Sequence, residues 1–337
     1  MVDEIMQEYE SVNQPLKILI IGLGVIGTTY GYLFQKAGHH VEHFIRQNSP
    51  KRSISKIGID LLDGRQHKKG VQKSDSYHVQ FPKHSDYDLI FVSVPSGGIA
   101  EVVAMLDYER ISGTMLLCCG LWDTKDELGR LMQKRPYILG YPVAGGNMTD
   151  GVLKCCVFDH FMLEREARCD IPNRQDILRL FADCKIKTEE PYDMLEWMWI
   201  HMAINAGVVS VAGRYGDIHD TTKSAEYLMN SSRILSKAIT AIRETTSIVA
   251  SRGVKLKKYR NELFAYHLPT FISAPLMKRL FSHNELTRRI MTLHGNTADL
   301  IYVCRSIYEC GKKNNIPAPL FYNCYEAVMR QVNESAK

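Results

Sequence analysis

The sequence predicts an α/β protein: a doubly wound parallel sheet over residues 16–190, an all-helical domain over residues 191–337, and a polar tail over residues 1–15 ending at Pro15. Three observations predict it. Continuous apolar runs ("KILII", "DLIFVSV", "GTMLLCC") alternate with amphipathic stretches in the first half, as strands buried on both faces alternate with covering helices. A glycine-rich turn joins the first run to the first amphipathic stretch. After about residue 190 the strand-like runs stop and apolar residues recur at i, i+3 and i+4.

The elements follow in order. "KILIIG" is the first strand, and "TTYGYLFQKAG" sets Tyr30, Leu33, Phe34 and Ala37 at helical spacing before Gly38, a helix stop. "HVEHFIR" is the second strand, completing a βαβ unit. "GIDLLDGRQHKKG" contains Asp63-Gly64, the dipeptide of a tight hairpin turn. "DLIFVSVP" is a buried strand closed by Pro95; "GTMLLCCG" and "YILGYPV" are further strands, with "GGIAEVVAML" and "TKDELGRLMQ" as helices between them. "GVLKCCVFDHFMLERE" reads as an antiparallel addition. The second half opens with "DMLEWMWIHMAINAGVVSVAG" as a long helix. "SAEYLMNSSRILSKAITAIRETTSIVASRG" follows as a single helix ending at Gly253, and "TADLIYVCRSIYECGKKN" and "APLFYNCYEAVMRQV" finish the chain.

Composition narrows the class. Apolar residues make up 45% and charged residues 23%, so a core is affordable without metal or disulfide staples. Net charge is +5, and the basic clusters near Lys68 and Lys255 are short solvated ends, so no nucleic-acid partner is expected. The nine cysteines lack metal-type spacing and read as free thiols in a reducing compartment. The opening "MVDEIMQEYE" is acidic with no apolar centre, and no apolar run approaches a membrane span. The expectation is a cytoplasmic protein with a small-molecule substrate, no membrane or metal, and long apolar helices compatible with a homodimer.

Gly22, Gly24 and Gly27 form G-x-G-x-x-G between strand and helix. The first glycine permits the tight turn, the second lets a pyrophosphate approach the backbone, and the third allows helix and strand to touch, with the phosphates on the positive helix end. This is the Rossmann arrangement, and it assigns Gly22, Leu23, Gly24, Val25, Ile26 and Gly27 to a dinucleotide. The second strand ends in Arg46, with Lys51 and Arg52 close by, where an NAD site carries a carboxylate. A cation there suits the 2′-phosphate of NADP; the competing reading is a solvated strand end. Glu42 stands too far back in the strand to reach a ribose.

"WIHMAINAGVV", residues 199–209, carries only two strongly polar side chains, His201 and Asn205, at i and i+4 on one face. Burying either without a partner costs on the order of 1–3 kcal/mol, so each needs a neighbouring segment, a water or a ligand. The helix follows the nucleotide half directly, so one end can line the interdomain cleft.

The chain resembles the ketopantoate (2-dehydropantoate 2-) reductases over nearly all of residues 16–330. The resemblance rests on "KILIIGLGVIG", "FIR", "DLIFVSVPSGGIAEVV", "LLCCGLWDTKDEL", "LGYPVAGGNMTDGVL", "WMWIHMAINAGVV" and "KKNNIPAP". It implies an N-terminal Rossmann domain followed by a helical domain of the 6-phosphogluconate-dehydrogenase kind, with the active site between them and NADPH reducing a 2-oxo acid in the pathway to pantothenate. His201 falls where the family has a catalytic lysine and Asn205 on a family asparagine. A second family asparagine falls on Val209. The resemblance further places Val94, Pro95, Cys119 and Gly120 along the cofactor, with Pro95 at a family lysine and Cys119-Gly120 at a family Asn-Gly. Asp299 aligns with a late acidic residue.

Two functions follow. In the first, the chain is an NADPH-dependent reductase with His201 as general acid, Asn205 on the reacting oxygen, and Asp299 binding a substrate hydroxyl or orienting His201. An imidazole, ordinarily titrating near 6.5, is a competent acid near neutrality. In the second, it is an NADP-binding redox sensor or assembly protein that has lost chemistry. Cys119 reads as an inert apolar cysteine rather than a reactive thiol, His39-His40 as a solvated turn, and His294 as a candidate to face the cleft.

Overall fold

The computed structural model describes residues 14–293 and 296–335. Most of the tail and His294 therefore lie outside the described residues. The strands run from Lys17 to Glu189 and the long helices follow. In chain order, strand β1 (Lys17–Ile21), helix α1 (Val25–Lys36) and β2 (His40–Phe44) form the opening βαβ unit. A hairpin, β3 (Lys56–Asp63) and β4 (Val71–His78), comes next. After it β5 (Asp86–Val92), α2 (Ile99–Tyr108), β6 (Ser112–Leu117) and α3 (Lys125–Met132) continue the parallel winding. The long strands β7 (Tyr137–Thr149) and β8 (Val152–Leu163), helix α4 (Arg174–Asp183) and the short β9 (Lys187–Glu189) complete this half.

The sheet order is β2-β1-β5-β6-β7-β8-β3-β4, with β9 beside β8. The winding is parallel from β2 to the start of β7. Beyond that β7 and β8 pair antiparallel, β8 and β3 parallel, and β3 and β4 antiparallel. The sheet curls until its two ends meet: the His43 N–H on β2 donates to the carbonyl of Gln80, just past β4, at 2.7 Å. Inside the curl lies α1, buried continuously from Gly27 to Phe34. Its Tyr30 and Phe34 pack with Phe91, Phe161 and Phe181.

Two local expectations are corrected. Asp63-Gly64 does not make a two-residue turn, because β3 pairs Asp63 with Val71 and residues 64–70 form the connection. Asp63 is held instead by Arg65 and Lys73 at 2.8 and 2.7 Å. Gly64 is required by crowding: a Cβ there would stand 2.4 Å from Leu286 and 2.7 Å from the Val157 carbonyl. The single helix ending at Gly253 is two, α6 (Thr221–Asn230) and α7 (Ser232–Ala250). Ser231 breaks it in an extended conformation, its hydroxyl accepting from the Ile234 N–H, so a cap outcompetes the apolar periodicity.

The remaining helices are α5 (Met194–Tyr215), which precedes them, then α8 (Arg260–His267), α9 (Thr270–His283), α10 (Glu285–Thr292), α11 (Thr297–Lys313) and α12 (Pro319–Ser335). Apolar nearly all round, α5 is the hub: Gly207 lets α7 approach so closely that a Cβ would sit 2.7 Å from the Ile242 backbone nitrogen. The Thr245 hydroxyl of α7 donates to the Ala203 carbonyl of α5 at 2.7 Å.

Candidate active site

The glycine turn has a distinct geometry at each glycine. Gly22 takes φ +84°, a left-handed conformation that favours glycine. Cβ atoms at Gly22 or Gly24 would meet nothing within 4 Å, whereas one at Gly27 would stand 2.7 Å from Ile20 and 3.1 Å from the Ser93 hydroxyl. The first two glycines thus face open space at the amino end of α1, and the third closes helix onto strand. Leu23, Val25 and Ile26 complete the turn, with the Leu23 carbonyl accepting from Lys51 Nζ at 3.0 Å.

A buried histidine supports the turn from below, and sequence reasoning missed it. His43 Nδ1 lies 2.8 Å from the Gly22 carbonyl oxygen and Nε2 lies 2.8 Å from the Tyr77 hydroxyl. A carbonyl only accepts, so Nδ1 carries the proton and Nε2 accepts from Tyr77. Burial pushes the imidazole down to about 4, against a smaller opposing effect of the Gly22 bond. Gly31 of α1 makes room for the pair: a Cβ there would stand 2.7 Å from the Tyr77 oxygen.

At the end of β2, Arg46, Lys51 and Arg52 are exposed. Glu42 is buried, accepting from the Tyr87 hydroxyl at 2.6 Å and the Lys83 N–H at 2.9 Å. That carboxylate is committed to the fold, and the side chains at this strand end are cations.

The loop after β5 begins at Ser93 beside Gly27 and continues through Val94 and Pro95 to Ser96. There the helical half takes hold of it. Asp299, in the first turn of α11, accepts from the Ser96 N–H at 2.9 Å, and Tyr302 one turn on lies against Gly97 (φ +85°). Gly120, after β6, passes so close to Ser96 that a Cβ would be 2.7 Å from its hydroxyl oxygen and 3.8 Å from Met202 of α5. Cys119 beside it is buried; burial first, then the charges of Asp299 and Asp123, push its thiol up to about 12. A thiol so placed stays protonated, and the inert reading stands.

His201 and Asn205 share one face of α5, and both meet Tyr141 of β7. The His201 ring stacks on Trp197 (centroids 5.0 Å apart, planes at 10°) and meets Tyr141 edge-on at 4.6 Å. The Asn205 amide stands beside the Tyr141 hydroxyl. Burial and the Asp299 charge push that phenol well up, against the effect of Asn205. His201, Asn205, Tyr141, Asp299, Ser96 and Cys119-Gly120 are therefore one cluster, reached from the glycine turn along the loop after β5. Tyr141 and Tyr302 were not predicted, since neither has a spacing signal and both join the cluster by tertiary contact. His39 is corrected: it is buried, accepting from the Leu16 N–H at 3.2 Å with Asp183 3.5 Å from its other nitrogen. Among the described residues no cluster of metal-ligating side chains occurs, and no helix is long and apolar enough to cross a membrane. A cavity of about 500 Å³ elsewhere is lined by Glu164, Trp199 and Arg252 and includes none of the predicted site residues.

Residues 18–120 match the family profile described as ketopantoate reductase PanE/ApbA, which spans the glycine turn, the loop after β5 and Cys119-Gly120. Over that segment the chain is similar to the family. No curated protein matches the sequence. Among solved structures, it is similar to a dimeric ketopantoate reductase from Staphylococcus aureus, with 14% identity over 95% of this chain and 99% of that chain and a TM-score of 0.61. A PanE/ApbA family ketopantoate reductase from Ralstonia eutropha JMP134 gives 15% identity over 96% and 100%, with a TM-score of 0.62. D-mandelate dehydrogenase, in a ternary structure with NADH and anilino(oxo)acetate, gives 12% over 95% and 99%, with a TM-score of 0.66. At such identities the likeness establishes the fold.

Proposed function

We propose that the chain is an NADPH-dependent reductase converting the ketone of a 2-oxo acid or a related carbonyl compound to the alcohol. The observation that carries the proposal is the cradle at the amino end of α1: space at Gly22 and Gly24 that any side chain would fill, closed behind by Gly27. The residues fit a dinucleotide. Backbone N–H groups at the start of α1 suit its pyrophosphate, and Arg46, with Lys51 and Arg52, suits a 2′-phosphate, which favours NADP over NAD. Val94, Pro95, Cys119 and Gly120 would line the path toward the Tyr141 cluster.

When bound, the nicotinamide supplies a hydride to the carbonyl carbon. The chain's part is to hold the substrate and deliver a proton. His201, fixed in plane by Trp197 and Tyr141, gives its ring proton to the carbonyl oxygen as the C=O π pair moves onto that oxygen, and is reprotonated from solvent. Asn205 holds the same oxygen, its amide beside the Tyr141 hydroxyl. Asp299 holds the loop after β5 against the helical half through Ser96.

The test is loss of NADPH absorbance across a panel of 2-oxo acids, ketones and aldehydes, with NADH in parallel. Turnover on at least one member, faster with NADPH, is expected. Tight NADPH binding with no turnover on any member would instead leave the chain as a dinucleotide-binding sensor.

A further inference from the structure

The cavity of about 500 Å³ is bounded by α3, the start of β7, the segment just past β8, the first turns of α5 and the turn after α7. Sites for small organic molecules are of this size, and an inorganic ion would leave most of it unfilled. Trp199 lines it. His201, two residues on, leaves α5 about 200° further round the helix and belongs to the Tyr141 cluster. Two donors of the cavity-lining side chains lack an acceptor. Trp199 is 8% exposed, and its indole Nε1 is buried with no hydrogen-bond partner among the described residues. Arg252 is clamped between Trp122 and Trp199, at 4.0 and 3.7 Å from the ring centroids, and its Nη2 donates to the Trp122 carbonyl at 3.0 Å. Its Nη1 is buried and likewise unpartnered. Buried donors are ordinarily paired, and leaving one unpaired is most costly on a charged group. The guanidinium lies against the Trp199 ring, so both N–H groups belong to one part of the wall.

The carboxyls around the cavity do not pair with Arg252. Asp193 is paired with Arg168, and Glu196 accepts from the Tyr259 hydroxyl at 2.6 Å. Glu164 accepts from the Leu139 N–H at 3.1 Å, and burial pushes its carboxyl up to about 7, so near neutrality it is charged only in part. Asp170 is exposed, where water and salt screen it. Asp123 and Glu127, outside the lining, act on Arg252 without pairing with it, Glu127 being bonded to Thr124. On the cationic side Arg135 is paired with Asp107, while Lys125 and Lys134 at the rim form no ion pair among the described residues. The half-buried cation therefore lacks an anion, and two lysines stand at the same opening. Leu128, Tyr137 and Leu195 supply an apolar wall for the rest of a ligand.

We propose that this cavity binds a small organic anion, a carboxylate or phosphate monoester on an apolar or aromatic body, whose oxygens accept from Arg252 Nη1 and Trp199 Nε1. The site is separate from the cluster read as the reductase centre, and it requires no reaction there.

Phenylacetate, phenyl phosphate and the neutral phenylacetamide share an aromatic body and differ in the head group. Calorimetric titration of each into the full chain at neutral pH reads binding directly. The tighter of the two anions is expected to bind at least about tenfold more strongly than phenylacetamide, and it identifies the head group as carboxylate or phosphate. Arg252→Gln should reduce that preference to about threefold or less. Trp199→Phe, which keeps an aromatic face against Arg252 and removes the N–H, should weaken the anion at least about threefold. His201→Ala, on the other side of α5, should leave the anion's affinity within about twofold of wild type. No detectable binding of either anion, a preference near or below one, a preference unchanged in Arg252→Gln, or an affinity unchanged in Trp199→Phe would overturn the proposal. So would loss of the anion in His201→Ala, which would place it in the Tyr141 cluster. Because Arg252 also ties Trp122 to Trp199, Arg252→Gln is read only if its thermal midpoint stays within about 3 °C of wild type; otherwise Trp199→Phe decides.

Discussion

Acidification should unfold the protein in part through His43. In the folded chain this imidazole is buried, donates to the Gly22 carbonyl, accepts from Tyr77, and titrates at about 4. In the unfolded chain it returns to its ordinary value of about 6.5. A base with a depressed folded value contributes stability above the unfolded value, and that stability is lost as pH falls toward the folded one. Between about pH 7.5 and about pH 5 the unfolded imidazole becomes almost wholly protonated while the folded one stays neutral, which costs about 2 kcal/mol. His43→Gln provides the control, since an amide supplies one donor and one acceptor but does not titrate. Denaturant unfolding of both proteins at the two pH values isolates the effect: wild type should lose about 2 kcal/mol more than the variant on acidification. NADPH affinity should fall in His43→Gln if the amide fails to hold Gly22 in place. Equal pH dependence of the two proteins, within about 0.5 kcal/mol, would refute the neutral buried imidazole.

Glu164 should act with the opposite sign. Burial raises its carboxyl to about 7, against the Leu139 N–H it accepts, so its contribution is full below the ordinary value and lost as pH rises through 7; Glu164→Gln should gain about 2 kcal/mol on wild type between about pH 5 and about pH 8, measured by denaturant unfolding. Gly24→Val should leave the thermal midpoint unchanged, because space is open there, yet weaken NADPH binding at least about tenfold in a fluorescence titration; Gly27→Val should cost about 1–3 kcal/mol of stability through its clash with Ile20. Arg46→Ala should cut the preference for NADPH over NADH by about tenfold in the same titration, with no change in stability at this exposed site. His201→Ala should lower kcat on an identified substrate by about two orders of magnitude, and full activity would remove it from the mechanism.

The βαβ opening, the cradle and the all-helical second half were legible because each is written in local chemistry. Apolar period sets strand or helix, and glycine alone tolerates the turn at Gly22. The same periodicity put His201 and Asn205 on one face of α5. It could not show the break at Ser231, where a hydroxyl cap competes with a pattern apolar on both sides. It also misread Gly64, whose reason is the distant side chain of Leu286.

By itself the sequence determined which segments are buried strands, where a dinucleotide can rest on a helix end, and which polar side chains share the face of an otherwise apolar helix, since these follow from the order of residues within one or two turns. The tertiary structure alone decided that the sheet curls until β2 meets the end of β4, setting His43 on Tyr77 beneath the glycine turn, and that Tyr141 and Asp299 join His201. Those contacts link residues far apart along the chain, and the packing of α5 and α11 against the sheet, rather than any local spacing, brings their side chains within reach.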